Sequence, residues 1–244
     1  MDVYFTTVIR QAFPSEGGEV VKLDWDSKKV LAVQPIVPTD PPVSATNTRG
    51  GTRGGRGIII PNGNVLVASY HSLHSFDLDL SPQRRISNHT FANLHEICTQ
   101  DHSIWATSTE IDAAVQVDTE GKTLETWWPR DDAVTAQRFG LTSLNIDKDA
   151  DNRTAHEDLG SGDPSHVHIN AVAIAPDGRP LMLLNRFGAV VKLHPTEVYI
   201  VEPNMRGCHN LLVTNSGHLL ISNTIQLSVD IFDPQGTLQK RVML

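Results

Sequence analysis

Residues able to do chemistry collect at four places where the chain is about to turn apolar. They are Arg56, His95-Glu96, the run Ser165-His166-Val167-His168-Ile169-Asn170, and His209-Asn210. Neutral imidazole is the commonest ligand of transition metals, and three histidines from separate segments leave coordination positions open for water or substrate. His95, His168 and His209 are therefore expected to hold a divalent metal ion. Glu96 then acts as another ligand or as the general base. Arg56 supplies positive charge for an anionic substrate, or pairs with Glu96. In the competing reading the same histidines and asparagines bond to backbone groups of a neighbouring segment and do no chemistry.

Asp147, Asp149 and Asp151 have the carboxylate spacing of a calcium loop, in a run that ends at Asp158. Asn152 stands where such a loop turns on glycine, so a solvated acidic loop is the alternative. The stretch from Arg49 to Gly57 concentrates arginine among glycines whose amides can approach an anion. It fits neither nucleotide-loop fingerprint, and a flexible turn entering a strand is its other reading. Cys98 and Cys208 each lie inside a predicted strand, beside apolar residues, and read as buried thiols of a reducing compartment.

The elements that must position these residues are strands. Period-two alternation puts His166, His168 and Asn170 on one face of a strand that runs into Val172 and Ile174. A turn at Pro176-Asp177-Gly178 follows, then apolar strands from Leu181 and from Ala189. The same order of strand, tight turn, strand, short loop and strand begins at Gly57, at His95 and at His209, usually with a fourth strand behind it. An aspartate closes the third strand at Asp24, Asp77, Asp118 and Asp233, where its side chain can accept turn amides. Four-stranded units repeating about every 40 residues predict an all-β fold, a β-propeller. Five units are visible, a sixth is possible, and the strands before Ile36 form the outer part of one of them. A solenoid would show shorter or helical repeats, and a sandwich would not need the same turn in every unit. The chain 1–244 reads as one domain, with a polar insertion at about 129–163 that should cover the face carrying the histidines. Residues 58–60, 96–98, 172–174 and 211–213 should be the innermost strands, ringed around one axis.

The stretches Asn170-Ala-Val-Ala-Ile-Ala-Pro-Asp-Gly178 and Val229-Asp-Ile-Phe-Asp-Pro-Gln-Gly236 resemble the superfamily of NHL-repeat and SMP-30/gluconolactonase-like propellers. The resemblance implies a propeller, usually of six blades. Metal-dependent members of that superfamily place Glu, Asn and Asp ligands around the axis, and Glu96, Asn170 and Asn210 resemble that set.

A formal net charge of −8 with no extended basic run argues against a nucleic-acid partner. No apolar run has the length of a membrane span, and Met1 to Phe13 lacks the order of a signal peptide, so the cytoplasm is the expected location. These observations predict a propeller with a histidine-rich, metal-binding site at the channel mouth. It would be a metal-dependent hydrolase or lyase acting on a small polar or anionic substrate. The alternative is a non-catalytic propeller that binds a ligand or a protein across the same face.

Overall fold

The computed structural model describes residues 1–9, 17–37, 53–153 and 166–244. The chain folds into five antiparallel blades of a β-propeller, the all-β architecture that the repeats predict. Blade 1 is built from Asp2–Thr6, Gly18–Asp24 and Lys29–Ile36, with Val8–Ile9 paired to Arg53–Gly54 at its end. Blade 2 comprises Ile58–Ile59, Val65–Ala68, Ser72–Phe76 and Pro82–Ser87. Leu94–Gln100, Ser103–Ser108, Ala113–Val117 and Thr123–Trp127 form blade 3. Blade 4 consists of Ile169–Ile174, Pro180–Leu184, Ala189–Lys192 and Glu197–Val201. His209–Val213, Leu219–Asn223, Ser228–Phe232 and Leu238–Met243 complete blade 5. The first strands of blades 2 to 5 each lie at the edge of a separate sheet, none paired with another. They pack against one another in succession, as expected of the innermost strands.

Local chemistry sets these blades. Left-handed residues, among them Asn62, Gly63, Asp101, Gly178 and Gly217, make the turns between first and second strands. Asp77, Asp118 and Asp233 each accept backbone amides two and four residues on, which closes the turn into the fourth strand. Both faces of a middle blade meet a neighbour, so its second strand is buried throughout, as Ser103–Ser108 and Pro180–Leu184 show. The core is accordingly divided among the blade junctions. Val20 and Ile36 meet Val65, Val67 and Phe76 between blades 1 and 2. Leu66 and Leu73 meet Ile97, Ile104 and Val115 between blades 2 and 3. Trp105 and Ala114 meet Val172, Met182 and Val191 at the next junction, and Leu183 and Val190 meet Ile221 and Phe232 at the last. Each fully buried aliphatic side chain contributes about 1.5–3 kcal/mol.

Gly57 allows blade 2 to approach blade 3. A Cβ there would lie 2.9 Å from the Ile97 nitrogen and 3.0 Å from both Glu96 Cα and the His95 carbonyl oxygen.

Three local features differ from the sequence reading. The innermost strand of blade 4 begins at Ile169, not at Ser165, because His168 has φ 55° and breaks the alternation. Cys208 lies one residue before its strand. The excursion after Trp127 carries a helix, α1 (Ala133–Phe139), where no helical pattern was expected. Asp132 caps it by accepting the Thr135 amide at 2.8 Å, and Gly140 ends it with φ 66°. Phe139 and Leu141 pack on the junction of blades 3 and 4, and Trp128 and Ile146 on that of blades 2 and 3. The Asn152 amide donates to the His89 carbonyl at 2.7 Å, on the connection that enters blade 3. Among the described residues no helix is long and apolar enough to cross a membrane.

Candidate functional site at the channel mouth

The innermost strands of blades 3, 4 and 5 share an irregularity at their entry. The pairing register slips between Leu94 and Ile97, between Ile169 and Ala171, and between His209 and Leu211. A bulge places an extra residue and re-aims side chains, a device common beside functional sites. Here the residues involved are His95-Glu96, Asn170 and Asn210. Asn93, His168 and Asn210 take left-handed φ values of 56°, 55° and 54° at these entries. Asparagine tolerates that conformation better than most residues do.

The three expected histidines come together. The His95 ring lies 5.1 Å from that of His168 and 6.4 Å from that of His209, measured between centroids. His166 lies 5.4 Å from His168 but is buried, with Nε2 facing the Thr109 carbonyl at 2.8 Å and Asp112 Oδ1 at 3.0 Å. Arg56 Nη1 reaches His95 Nδ1 at 3.1 Å and also donates to Asn93 Oδ1. Asn93 in turn donates to Glu110 Oε2 at 2.9 Å. Asn170 donates to the Cys208 carbonyl at 2.8 Å and lies 3.1 Å from His209 Nδ1. Asn210 reaches back from blade 5 to donate to Glu96 Oε2 at 2.9 Å. Four buried polar atoms around this patch have no hydrogen-bond partner among the described residues: Glu110 Oε1, His166 Nδ1, His168 Nδ1 and Asn170 Oδ1.

Burial sets the protonation states. It raises the Glu96 carboxyl to about 7, against the opposing bond from Asn210. Burial first, then the Arg56 charge, holds His95 well below its ordinary value. Burial likewise lowers His168 to about 3, helped by the neighbouring His166 and His209. The patch at the entries of the innermost strands therefore combines neutral imidazoles, a guanidinium and a carboxyl that exchanges its proton near neutrality. Burial pushes the Cys98 and Cys208 thiols up to about 12, which leaves them unreactive.

Among the described residues no group of three or more His, Cys, Asp or Glu side chains is arranged to hold a metal ion. The donors at the mouth are engaged in other ways. A guanidinium on His95 repels a second cation, and Asn170 occupies His209 Nδ1. As arranged, His95, His168 and His209 do not fit a divalent ion bound by all three. In the acidic loop, Asp147 accepts the Asp149 amide at 3.0 Å and Asp151 pairs with Arg153 at 2.6 Å. Asp158 and Arg49 lie outside the described residues.

Sequence reasoning missed the residues that support the patch. Asp112, 1% exposed, bonds Arg130 Nε at 2.9 Å and the amides of Val167 and His168 at 2.9 Å each. The available signal was a carboxylate set between Ile111 and the apolar strand from Ala113, since a buried charge requires partners.

No family model matches this chain, and no curated protein matches its sequence. Solved structures match its fold. Virginiamycin B lyase from Staphylococcus aureus aligns over 99% of this chain and 75% of its own, with 9% identity and a TM-score of 0.57. Regucalcin from Agrobacterium tumefaciens, described as a calcium-binding protein, aligns over 96% of this chain and 73% of its own, with 14% identity and a TM-score of 0.57. The Pan2 WD40 domain of Neurospora crassa aligns over 99% of this chain and 62% of its own, at 9% identity and a TM-score of 0.57. Identities this low establish the propeller fold alone, in line with the fold-level resemblance to SMP-30-like propellers.

Proposed function

We propose that the channel mouth takes a small polar or anionic molecule, and that the protein acts on it there as a hydrolase or lyase. One observation carries this reading: a carboxyl with a pKa of about 7 shares a patch with a guanidinium and two neutral imidazoles. Arg56 would receive the anionic group of the ligand in its planar fork of donors. Glu96, poised near neutrality, would move a proton to or from the bound molecule, a role that typically contributes 10²–10⁴-fold in rate. The described part of the insertion, residues 129–153, would close over the ligand and exclude water. One solved structure of this fold is a lyase, so the architecture can carry that chemistry.

The test is thermal stabilisation of the purified chain by inorganic phosphate, malate and citrate. At least one should raise the melting temperature of the wild type, and Arg56→Met should abolish the effect. Glu96→Gln should flatten its dependence on pH around neutrality. No stabilisation by any of them, or equal stabilisation of Arg56→Met, would contradict the reading. A non-catalytic propeller that binds a ligand or protein partner predicts the Arg56 dependence without the Glu96 effect.

A divalent metal ion is the second reading. In its favour, His168 Nδ1 and Asn170 Oδ1 are buried without partners, and His95 and His168 are neutral, as ligands must be. It requires the Arg56 guanidinium to leave His95. Elemental analysis decides it, because stoichiometric metal in the purified protein would place this reading first.

A further inference from the structure

We propose that Asp112 is the positioning residue of the channel mouth: its carboxylate ties both stems of the excursion between blades 3 and 4 and so sets His168 against His95. A carboxylate offers about four lone-pair sites, and here every one is used. Oδ2 accepts from Arg130 Nε and from the Val167 amide, both at 2.9 Å. Oδ1 accepts from the His168 amide at 2.9 Å and faces His166 Nε2 at 3.0 Å. That ring nitrogen also faces the Thr109 carbonyl at 2.8 Å. Two acceptors on one nitrogen place the ring proton there. Arg130 opens the excursion, and His166 to His168 end it.

The arrangement stands on geometry that a surface ion pair lacks. The Asp112 and Arg130 side chains are 0% and 3% exposed, and the His166 side chain is 2% exposed. Asp112 itself is left-handed, with φ 51°, which turns its side chain inward at the end of the 3-10 turn Thr109–Ile111. His168 is left-handed as well, a conformation that costs a histidine energy unless its surroundings fix it. The bond from its amide to Asp112 is such a constraint. Through it, a carboxylate that touches neither His95 nor Arg56 determines where the His168 ring stands.

The inference uses the mouth reading only in counting His168 as part of the site, and its test requires no ligand. Failure here leaves the anion reading standing, and the converse also holds. Full-length Asp112→Ala is compared with wild type by amide hydrogen exchange and by nitrogen NMR of the histidine rings. The Val167 and His168 amides should exchange at least tenfold faster, and the His168 ring signals should shift. The amides of Ser103–Ser108 and Pro180–Leu184 should keep their protection. Arg130→Met removes one donor only, and should loosen the first stem while leaving the His168 ring signals in place. If Asp112→Ala does not fold, Asp112→Asn replaces it: its amide keeps one acceptor oxygen and puts an NH2 in place of the other, so the backbone amide left without an acceptor should exchange faster and the His168 ring signals should still shift. A variant that melts at a lower temperature with unchanged His168 ring signals has lost mere stability, and that result overturns the proposal.

Discussion

Glu96 links the chemistry of the mouth to the stability of the fold. Burial raises its pKa from 4.5 to about 7, so between those values the folded chain keeps a proton that the unfolded chain has released. The stability it contributes is complete below the unfolded value and is lost as pH rises through about 7. His168 and His74 run the other way, lowered by burial from 6.5 to about 3 and about 4. Their contribution is complete above 6.5 and is lost as pH falls toward the folded values. Comparing Glu96→Gln with wild type isolates the carboxyl, because glutamine still offers Asn210 an acceptor. Between pH 5 and pH 8 the variant should gain about 1–3 kcal/mol on the wild type, the lower figure allowing for partial access of solvent. Urea titrations at the two pH values check this, and parallel changes in both proteins would contradict it. The residue types at the mouth were legible because polar residues that open apolar strands stand out. Their partners were not: Asn210 meets Glu96 across 114 positions, and the Asp112 bonds to Val167 and His168 span 55 and 56.

Strand entries carry the geometry of the site, and Gly57 shows how tightly. Its neighbours are backbone atoms of His95, Glu96 and Ile97, which cannot yield as the end of a flexible side chain can. Gly57→Ala should push blades 2 and 3 apart at the mouth, costing about 1–3 kcal/mol by overpacking. It should also draw Arg56 away from His95. Chemical denaturation measures the first effect and the His95 ring resonances the second. A stability within about 0.5 kcal/mol of wild type would show that the approach is looser than described. Strands and turns were legible because alternation and the turn residues recur in every blade. The helix at Ala133–Phe139 escaped notice because it is too short to display a period, although its Asp132 cap and Gly140 stop are both in the sequence. The bulges cannot be read from alternation at all, and His168 was assigned to a strand that starts one residue later.

The propeller as a whole brings the patch of His95, Glu96, His168 and Asn210 together. Its core is divided among the junctions between blades, and the innermost strands reach one another only when those junctions form. The repeat revealed this architecture because each blade must bury both faces against like neighbours and so reuses one pattern. Nothing in the pattern specifies what the channel mouth binds. This assembly desolvates Glu96, beside Asn210 from a blade two positions away. Carbon NMR of the glutamate carboxyls, assigned with Glu96→Gln and followed against pH in the folded chain and in denaturant, measures that directly. Glu96 should titrate at about 7 when folded and near 4.5 when unfolded. A midpoint near 4.5 in both states would contradict the account.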